Sequence, residues 1–227
     1  MFFVGLILLI NIFLNLAETK TDDRIKGDIK SLISAFKDLL RLPKFIFYTL
    51  TMSCSNSMFF TFLGVAPFLI IQELNFTPTQ YGFTFMLISF AFMAGSFTTA
   101  RLSERFGSLR MISYAVFGTI FGSILMLVIF LYGVVNIYII FGVMMIITYS
   151  NGIVIPNIIA NIVSIRPKLA GSASGLSGCI QYTLAAISSY VAALLATMGI
   201  LYMPMQLIIL AIVGTCSFYF AEAIKDS

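Results

Sequence analysis

Histidine is absent from the 227 residues, and the three cysteines lie far apart, each inside an apolar run. This composition offers no ligand set for a zinc or iron–sulfur site and no disulfide framework, so we expect neither a metal nor a cofactor. Charge is also scarce, because Asp, Glu, Lys and Arg make up 10% of the chain, against about 25% in a soluble domain. So little charge excludes a water-soluble globule.

Motifs for enzyme chemistry are missing as well. The segment GSASG at residues 171–175 has Ala173 where a nucleophile elbow requires serine, and no Gly-Lys-Ser or Gly-Lys-Thr completes a phosphate-binding loop. The net charge of +4 comes from short basic clusters between apolar runs and not from one basic face, which argues against nucleic-acid binding. We therefore predict a protein that is not an enzyme and binds no nucleic acid.

Apolar residues dominate instead, at 60% of the chain. They form six long runs, each near or above the ~20 residues that a helix needs to cross a bilayer. The runs cover residues 45–71, 81–100, 111–132, 137–165, 169–197 and 203–221. The sequence therefore predicts an all-α membrane protein with six spanning helices.

The prolines agree with these runs. Four of them stand near the starts of predicted helices, where the missing N–H had no helical partner. These four are Pro43, Pro78, Pro167 and Pro204. The other two, Pro67 and Pro156, lie within predicted spans, and we expect each to kink its helix by removing a backbone hydrogen bond.

The basic residues predict the orientation. All 13 Lys and Arg precede residue 45, lie in segments 101–110 and 166–168, or stand at Lys225. With six helices these segments fall on one side of the membrane, which the positive-inside rule makes the cytoplasmic side. We expect a multi-pass protein of the cell inner (plasma) membrane with a cytoplasmic carboxyl terminus.

Two segments precede the first complete span. Residues 1–16 contain an apolar run too short to span the membrane; it fits a partial transmembrane helix better than a signal peptide, because no basic residues precede it. Residues 17–44 carry apolar side chains at helical spacing, as in an amphipathic helix bound to membrane lipid; a solvated linker is an equal alternative. The six-helix unit then covers residues 45–222, and a cytoplasmic tail covers 223–227.

The loop after the second span reads RLSERFGSLR at residues 101–110. It resembles a cytoplasmic loop signature of the major facilitator superfamily, in which an acid and a base stand side by side and a glycine with basic residues closes the motif. Ala100 stands where that pattern opens with a glycine, and Ser108 stands where it has one of the closing basic residues. Three further segments resemble the bicyclomycin-resistance type of drug:proton antiporter: FTPTQYG at 76–82, Pro156-Asn157, and AGSASGLSGCIQ at 170–181.

The resemblance implies the six-helix carboxyl-terminal bundle of a twelve-helix transporter, with residues 1–16 as the end of helix six. In that superfamily two six-helix halves rock about a central cavity, and the acids that bind protons and cationic drugs lie mainly in the amino-terminal half. In this chain no Asp, Glu, Lys, Arg or His falls in the middle of a complete span. The usual sign of a proton relay is therefore missing.

Polar residues recur at helical spacing on four of the spans, which places them on single faces that point away from lipid. Amides that form hydrogen bonds and phenylalanines that stack on flat, lipophilic drugs are candidates for lining a substrate cavity. The candidates are Asn56, Phe60, Phe92, Asn157 and Gln181. Hydrogen bonding between packed helices is the alternative role for the amides.

Two other groups of residues have predicted roles. Three glycines form a pattern that lets helix backbones approach closely; they are Gly171, Gly175 and Gly178. Charged residues of the 101–110 loop are candidates for a cytoplasmic latch, which would bond helix ends of the opposite half when that side is closed. The latch candidates are Glu104, Arg105 and Arg110, and a solvated, topology-setting loop is the alternative.

Two functions fit these expectations. The first is a truncated or split multidrug efflux transporter that supplies the carboxyl-terminal half of the pathway for a lipophilic small-molecule drug, with a separate amino-terminal half chain as its partner. The second is a non-transporting membrane protein for packing or assembly, or a nonfunctional gene remnant. A neighbouring reading frame that encodes helices one to five, with an acid inside a span, would favour the first.

Overall fold

The computed structural model describes residues 29–73, 77–133 and 136–224, and all regular structure within these ranges is helical. The predicted partial helix at residues 1–16 lies outside the described residues. The chain divides into two units at the boundary between residues 35 and 36. Helix α1, Ile29–Leu40, covers the segment in which apolar spacing predicts a helix, and it runs across the boundary between the units.

Among the described residues, six further helices are long and apolar enough to cross a membrane, which confirms the predicted all-α bundle. The first of them, α2, is extended by a π-helical stretch, and the fifth, α6, is preceded by a short 3-10 turn at Pro167–Leu169. The bounds are α2 Pro43–Pro67 with the π stretch Phe68–Glu73, α3 Pro78–Phe106, α4 Ser108–Leu131, α5 Ile137–Ile165, α6 Ala170–Ala196 and α7 Tyr202–Ala223.

Local sequence sets where the helices begin. Thr77 caps α3, because its side chain accepts a hydrogen bond from the Gln80 N–H at 3.3 Å while the Gln80 side chain accepts one from the Thr77 N–H at 3.0 Å. This capping box satisfies two backbone donors that have no helical partner. Pro43 and Pro78 occupy the first turns of α2 and α3, whereas Pro167 begins the 3-10 turn and not α6.

The two prolines expected to kink their helices differ in position. Pro67 is the last residue of α2, and π-helical hydrogen bonding begins at the next residue, Phe68. The change follows the proline directly because its missing N–H ends the regular α-helical ladder. Pro156 lies inside α5, which continues to Ile165. The size of the bend at either proline stays a prediction.

Two apolar clusters hold the bundle of α2 to α7 together, one toward each end. The first is built around Phe62, Met126, Phe141 and Leu207. The second is built around Phe45, Ile112, Ile158 and Phe218. Between the two clusters many buried side chains are polar, among them Ser53, Ser55, Ser57, Ser123, Asn151 and Ser188. The middle of the bundle is therefore its most polar interior level.

The basic segment between α3 and α4 and the basic segment between α5 and α6 lie at the same end of the bundle. The Ser108 hydroxyl donates to Asn161 Oδ1 at 3.3 Å, which joins the start of α4 to the end of α5. The Tyr48 hydroxyl donates to the Glu222 carboxylate, which joins the start of α2 to the end of α7. We call this end the basic end; that it faces the cytoplasm remains a prediction.

Candidate functional site

A cavity of about 330 Å³ lies at the middle level of the bundle, between the two apolar clusters. Four helices build it, namely α2, α3, α5 and α6. Its lining residues are Asn56, Phe59, Phe60, Ile88, Ser89, Phe92, Thr148, Asn151, Ile155 and Tyr182. The volume is at the lower end of the range for small-molecule sites, and the described lining residues include no ionisable group apart from Tyr182.

Aromatic rings form much of the cavity wall. Phe59 and Phe60 are neighbours on α2 and meet edge to face, with ring centroids 5.8 Å apart and planes at 86°. Phe60 also meets Tyr182 of α6 edge to face at 6.4 Å and 81°. Such pairs hold each other's orientation, so the wall presents ordered rings against which a flat apolar molecule can pack.

Three polar side chains of the lining have buried atoms without a hydrogen-bond partner among the described residues. These atoms are Asn56 Nδ2, Thr148 Oγ1 and Asn151 Oδ1. The Asn151 amide is fixed from its other end, because its Nδ2 donates to the Ser55 carbonyl at 2.8 Å. A buried polar atom without a partner costs about 1–3 kcal/mol, and a ligand that hydrogen-bonds these groups would recover part of that cost.

The exposed side of the cavity faces away from the core of the bundle. Tyr182 on α6 is 62% exposed and Phe92 on α3 is 38% exposed, whereas Asn151 and Ile88 on the inner wall are buried. The helices α3 and α6 are also the least buried of the six spans, because only 22% of the residues in the most apolar stretch of each are buried. The cavity therefore opens between α3 and α6.

The five predicted cavity residues divide into two groups. Asn56 and Phe60 of α2 and Phe92 of α3 all line the cavity. Asn157 does not line it, because its Nδ2 donates to the Ile153 carbonyl at 2.8 Å and to Thr99 Oγ1 of α3 at 3.3 Å. Gln181 is buried on α6 but is likewise not among the lining residues.

The family of the chain follows from a comparison with models of protein families. The family model described as Major Facilitator Superfamily matches residues 1–190, which include all of α2 to α5 and most of α6. The chain belongs to the Major Facilitator Superfamily. Comparison with curated proteins gives no match. Membership in this transporter family and six helices of membrane length together make it a multi-pass membrane protein.

In this major facilitator protein the latch candidates lie at the turn between α3 and α4. Glu104, Arg105 and Arg110 are all exposed and form no ion pair with another described residue. Gly107 makes the turn possible with a φ of 83°, a conformation that side chains with a Cβ rarely adopt. The Arg105 guanidinium lies 5.6 Å from the centre of the Phe106 ring. All three charges are thus free to contact another molecule or segment.

The glycines predicted to pack helices do not do so within the described chain. A Cβ built on Gly171, Gly175 or Gly178 would meet no atom within 4 Å, so their role in packing against another molecule stays a prediction. The close approach occurs at Gly95 of α3 and Gly152 of α5, where an added Cβ would come within 2.2 Å of the Tyr149 carbonyl oxygen and 2.4 Å of the Phe92 carbonyl oxygen, respectively. The α6 glycines face open space because α6 packs on α2 with its opposite side.

Several residues that line the cavity were not predicted from the sequence, most importantly Thr148, Asn151 and Tyr182. Thr148, Asn151 and Ile155 follow one another at helical spacing on α5 and share one face. The stripe through Ser150 and Asn157 has the same spacing, so periodicity alone could not choose between the two faces. The usable signal was Asn151 itself, an amide in the middle of an apolar span.

Proposed function

We propose that α2 to α7 form the carboxyl-terminal half of a multidrug exporter of the bicyclomycin-resistance type, which exchanges a lipophilic drug for protons. The cavity at the middle of the spans carries this proposal. It combines aromatic walls with three unsatisfied polar atoms, a combination suited to a flat apolar molecule with a few hydrogen-bonding groups. Its position halfway along the helices is where transporters of this architecture bind substrate.

The open side of the cavity supports a second half across from it. The cavity is one-sided, because Phe92 and Tyr182 on its open side are 38% and 62% exposed. The α6 glycines that meet nothing in this chain would allow close approach of another helix. A six-helix amino-terminal half placed there, as a separate chain or as a preceding segment, would turn the one-sided cavity into an enclosed pathway.

The proton-binding groups of this exporter belong to that amino-terminal half. No Asp, Glu, Lys, Arg or His lies in the middle of a complete span of this chain, and intramembrane proton relays depend on such residues. The proposed division of work gives substrate contacts to both halves and proton coupling to the other one. The protein would act in the inner (plasma) membrane with the basic end in the cytoplasm.

Binding of a drug-like dye tests the cavity. We expect ethidium to bind the purified protein in nanodiscs with increased fluorescence, and Phe92→Ala to weaken binding about two- to tenfold, since an aromatic contact is worth about 0.5–1.5 kcal/mol. Phe83→Ala is the matched control, because Phe83 lies on the same helix, is exposed, and does not line the cavity. Equal binding to all three proteins would contradict the assignment of the cavity.

A further inference from the structure

A second cavity, of about 480 Å³, lies at the basic end and has a different chemistry from the first. Its polar lining comes from the start of α2, the end of α5 and the segment after α5. The side chains that give it this character are Lys44, Tyr48, Asn161, Ser164 and Arg166. Neither the family match nor the proposed drug pathway accounts for this cavity, because it is separated from the first cavity by the apolar cluster around Phe45 and Ile158.

The cavity is built to receive negative charge. Lys44 and Arg166 bring two positive charges to it, and Arg166 is exposed and forms no ion pair with another described residue. The Glu222 carboxylate accepts the hydrogen bond from Tyr48 and is not among the described lining residues. The Arg166 guanidinium is therefore available to an anion in this cavity.

Asn161 adds an unused hydrogen-bond donor to this cavity. Its Oδ1 accepts a hydrogen bond from Ser108 at 3.3 Å, which orients the amide. Its Nδ2 is buried and has no partner among the described residues. Because a buried N–H without an acceptor is costly, and because the terminal torsion of asparagine is soft, a small rotation lets this donor reach an oxygen bound between the two basic side chains.

The level of the cavity identifies the source of that oxygen. Pro43 begins α2 and Ile165 ends α5, so the cavity lies where the hydrocarbon core gives way to headgroups. Leu42, Leu109 and Ile165 complete the wall and offer an apolar surface next to the charges. We propose that this cavity is a binding site for the phosphate of an anionic membrane lipid, whose upper acyl chain packs on the apolar wall.

Native mass spectrometry of the full chain, released from detergent with phosphatidylglycerol or phosphatidylcholine, tests this site. We expect phosphatidylglycerol to remain bound to the wild type and phosphatidylcholine to bind less. Arg166→Gln should weaken phosphatidylglycerol binding about fivefold, which corresponds to ~1 kcal/mol for one basic residue at a membrane surface. Asn161→Asp should weaken it as well, because the new carboxylate replaces the donor and competes for Arg166.

Lys168→Gln is the matched control, because Lys168 is exposed two residues further along the same loop and does not line the cavity. It removes the same charge and should leave binding within twofold of the wild type. Equal losses in Arg166→Gln and Lys168→Gln would mean general surface attraction and would overturn the proposal. Displacement of the lipid by millimolar inorganic phosphate alone would also overturn it, since the site would then be one for free phosphate.

Discussion

The amides of the spans illustrate how much depends on single residues. Asn56 Nδ2 and Asn151 Oδ1 are buried without a partner among the described residues, although Asn151 Nδ2 donates to the Ser55 carbonyl. Asn157 Nδ2 donates to Ile153 and Thr99. Burial is similar for Asn151 and Asn157, at 2% and 3% exposure. Asn151 therefore differs from Asn157 in a buried amide atom without a partner and not in the degree of burial.

Two alanine substitutions should separate these roles. Asn56→Ala removes an amide whose Nδ2 is unpartnered, so we expect weaker ethidium binding with an unchanged or higher free energy of unfolding. Asn157→Ala removes the contact with Thr99 of α3, so we expect a loss of about 0.5–1 kcal/mol in stability and unchanged ethidium binding. SDS-titrated unfolding and dye titration measure the two quantities, and an identical response of both variants would contradict the division.

Part of this site could be predicted from the sequence for a physical reason. Helical spacing identifies which residues share a face, so Asn56, Phe60 and Phe92 could be selected from the chain alone. Spacing does not say which neighbouring helix a face meets, and α5 carries polar residues on two faces, so Asn157 was chosen where Asn151 lines the cavity. That choice depends on the crossing of α3 and α5, which the sequence does not specify.

At the scale of the elements, the crossing of α3 and α5 fixes the cavity. Gly95 and Gly152 allow the two backbones to touch, and each has a cavity residue close by in its own helix, Phe92 three residues before Gly95 and Asn151 next to Gly152. The sequence predicted the helices and their number because apolar length and prolines mark them. It placed the close approach on α6, since a repeated glycine spacing is more conspicuous than one glycine on each of two helices.

A methyl group at this crossing should separate the helices. In Gly95→Ala the new Cβ would lie 2.2 Å from the Tyr149 carbonyl oxygen, which is backbone and cannot move aside. We expect a loss of about 1–3 kcal/mol in the free energy of unfolding by SDS titration. Gly175→Ala is the control, because its Cβ meets nothing within 4 Å and alanine favours the helix. A Gly95→Ala variant as stable as this control would contradict the described crossing.

At the scale of the whole molecule, the proposed exporter consists of two six-helix halves. Glu104, Arg105 and Arg110 at the α3–α4 turn are exposed and form no ion pair with another described residue, as a latch to an opposite half would require. In a reconstituted complex of the two halves, Glu104→Gln should slow ethidium transport while leaving ethidium binding unchanged. In the closed state the Glu104 carboxylate would contact a helix N-terminus of the opposite half, and it does not line the cavity. Unchanged transport rates would favour the solvated-loop alternative.

Proton coupling is the function that this six-helix chain is expected to lack when the proposed amino-terminal half is missing. A cavity wall whose described residues include no acidic or basic side chain can bind a drug but cannot convert a pH gradient into its movement. The most direct test measures ethidium extrusion driven by a pH gradient in vesicles that contain residues 1–227 and no other transporter, against vesicles from an empty vector and with a protonophore as control. We expect extrusion equal to that of the empty-vector vesicles. Extrusion above that level that the protonophore abolishes would contradict it.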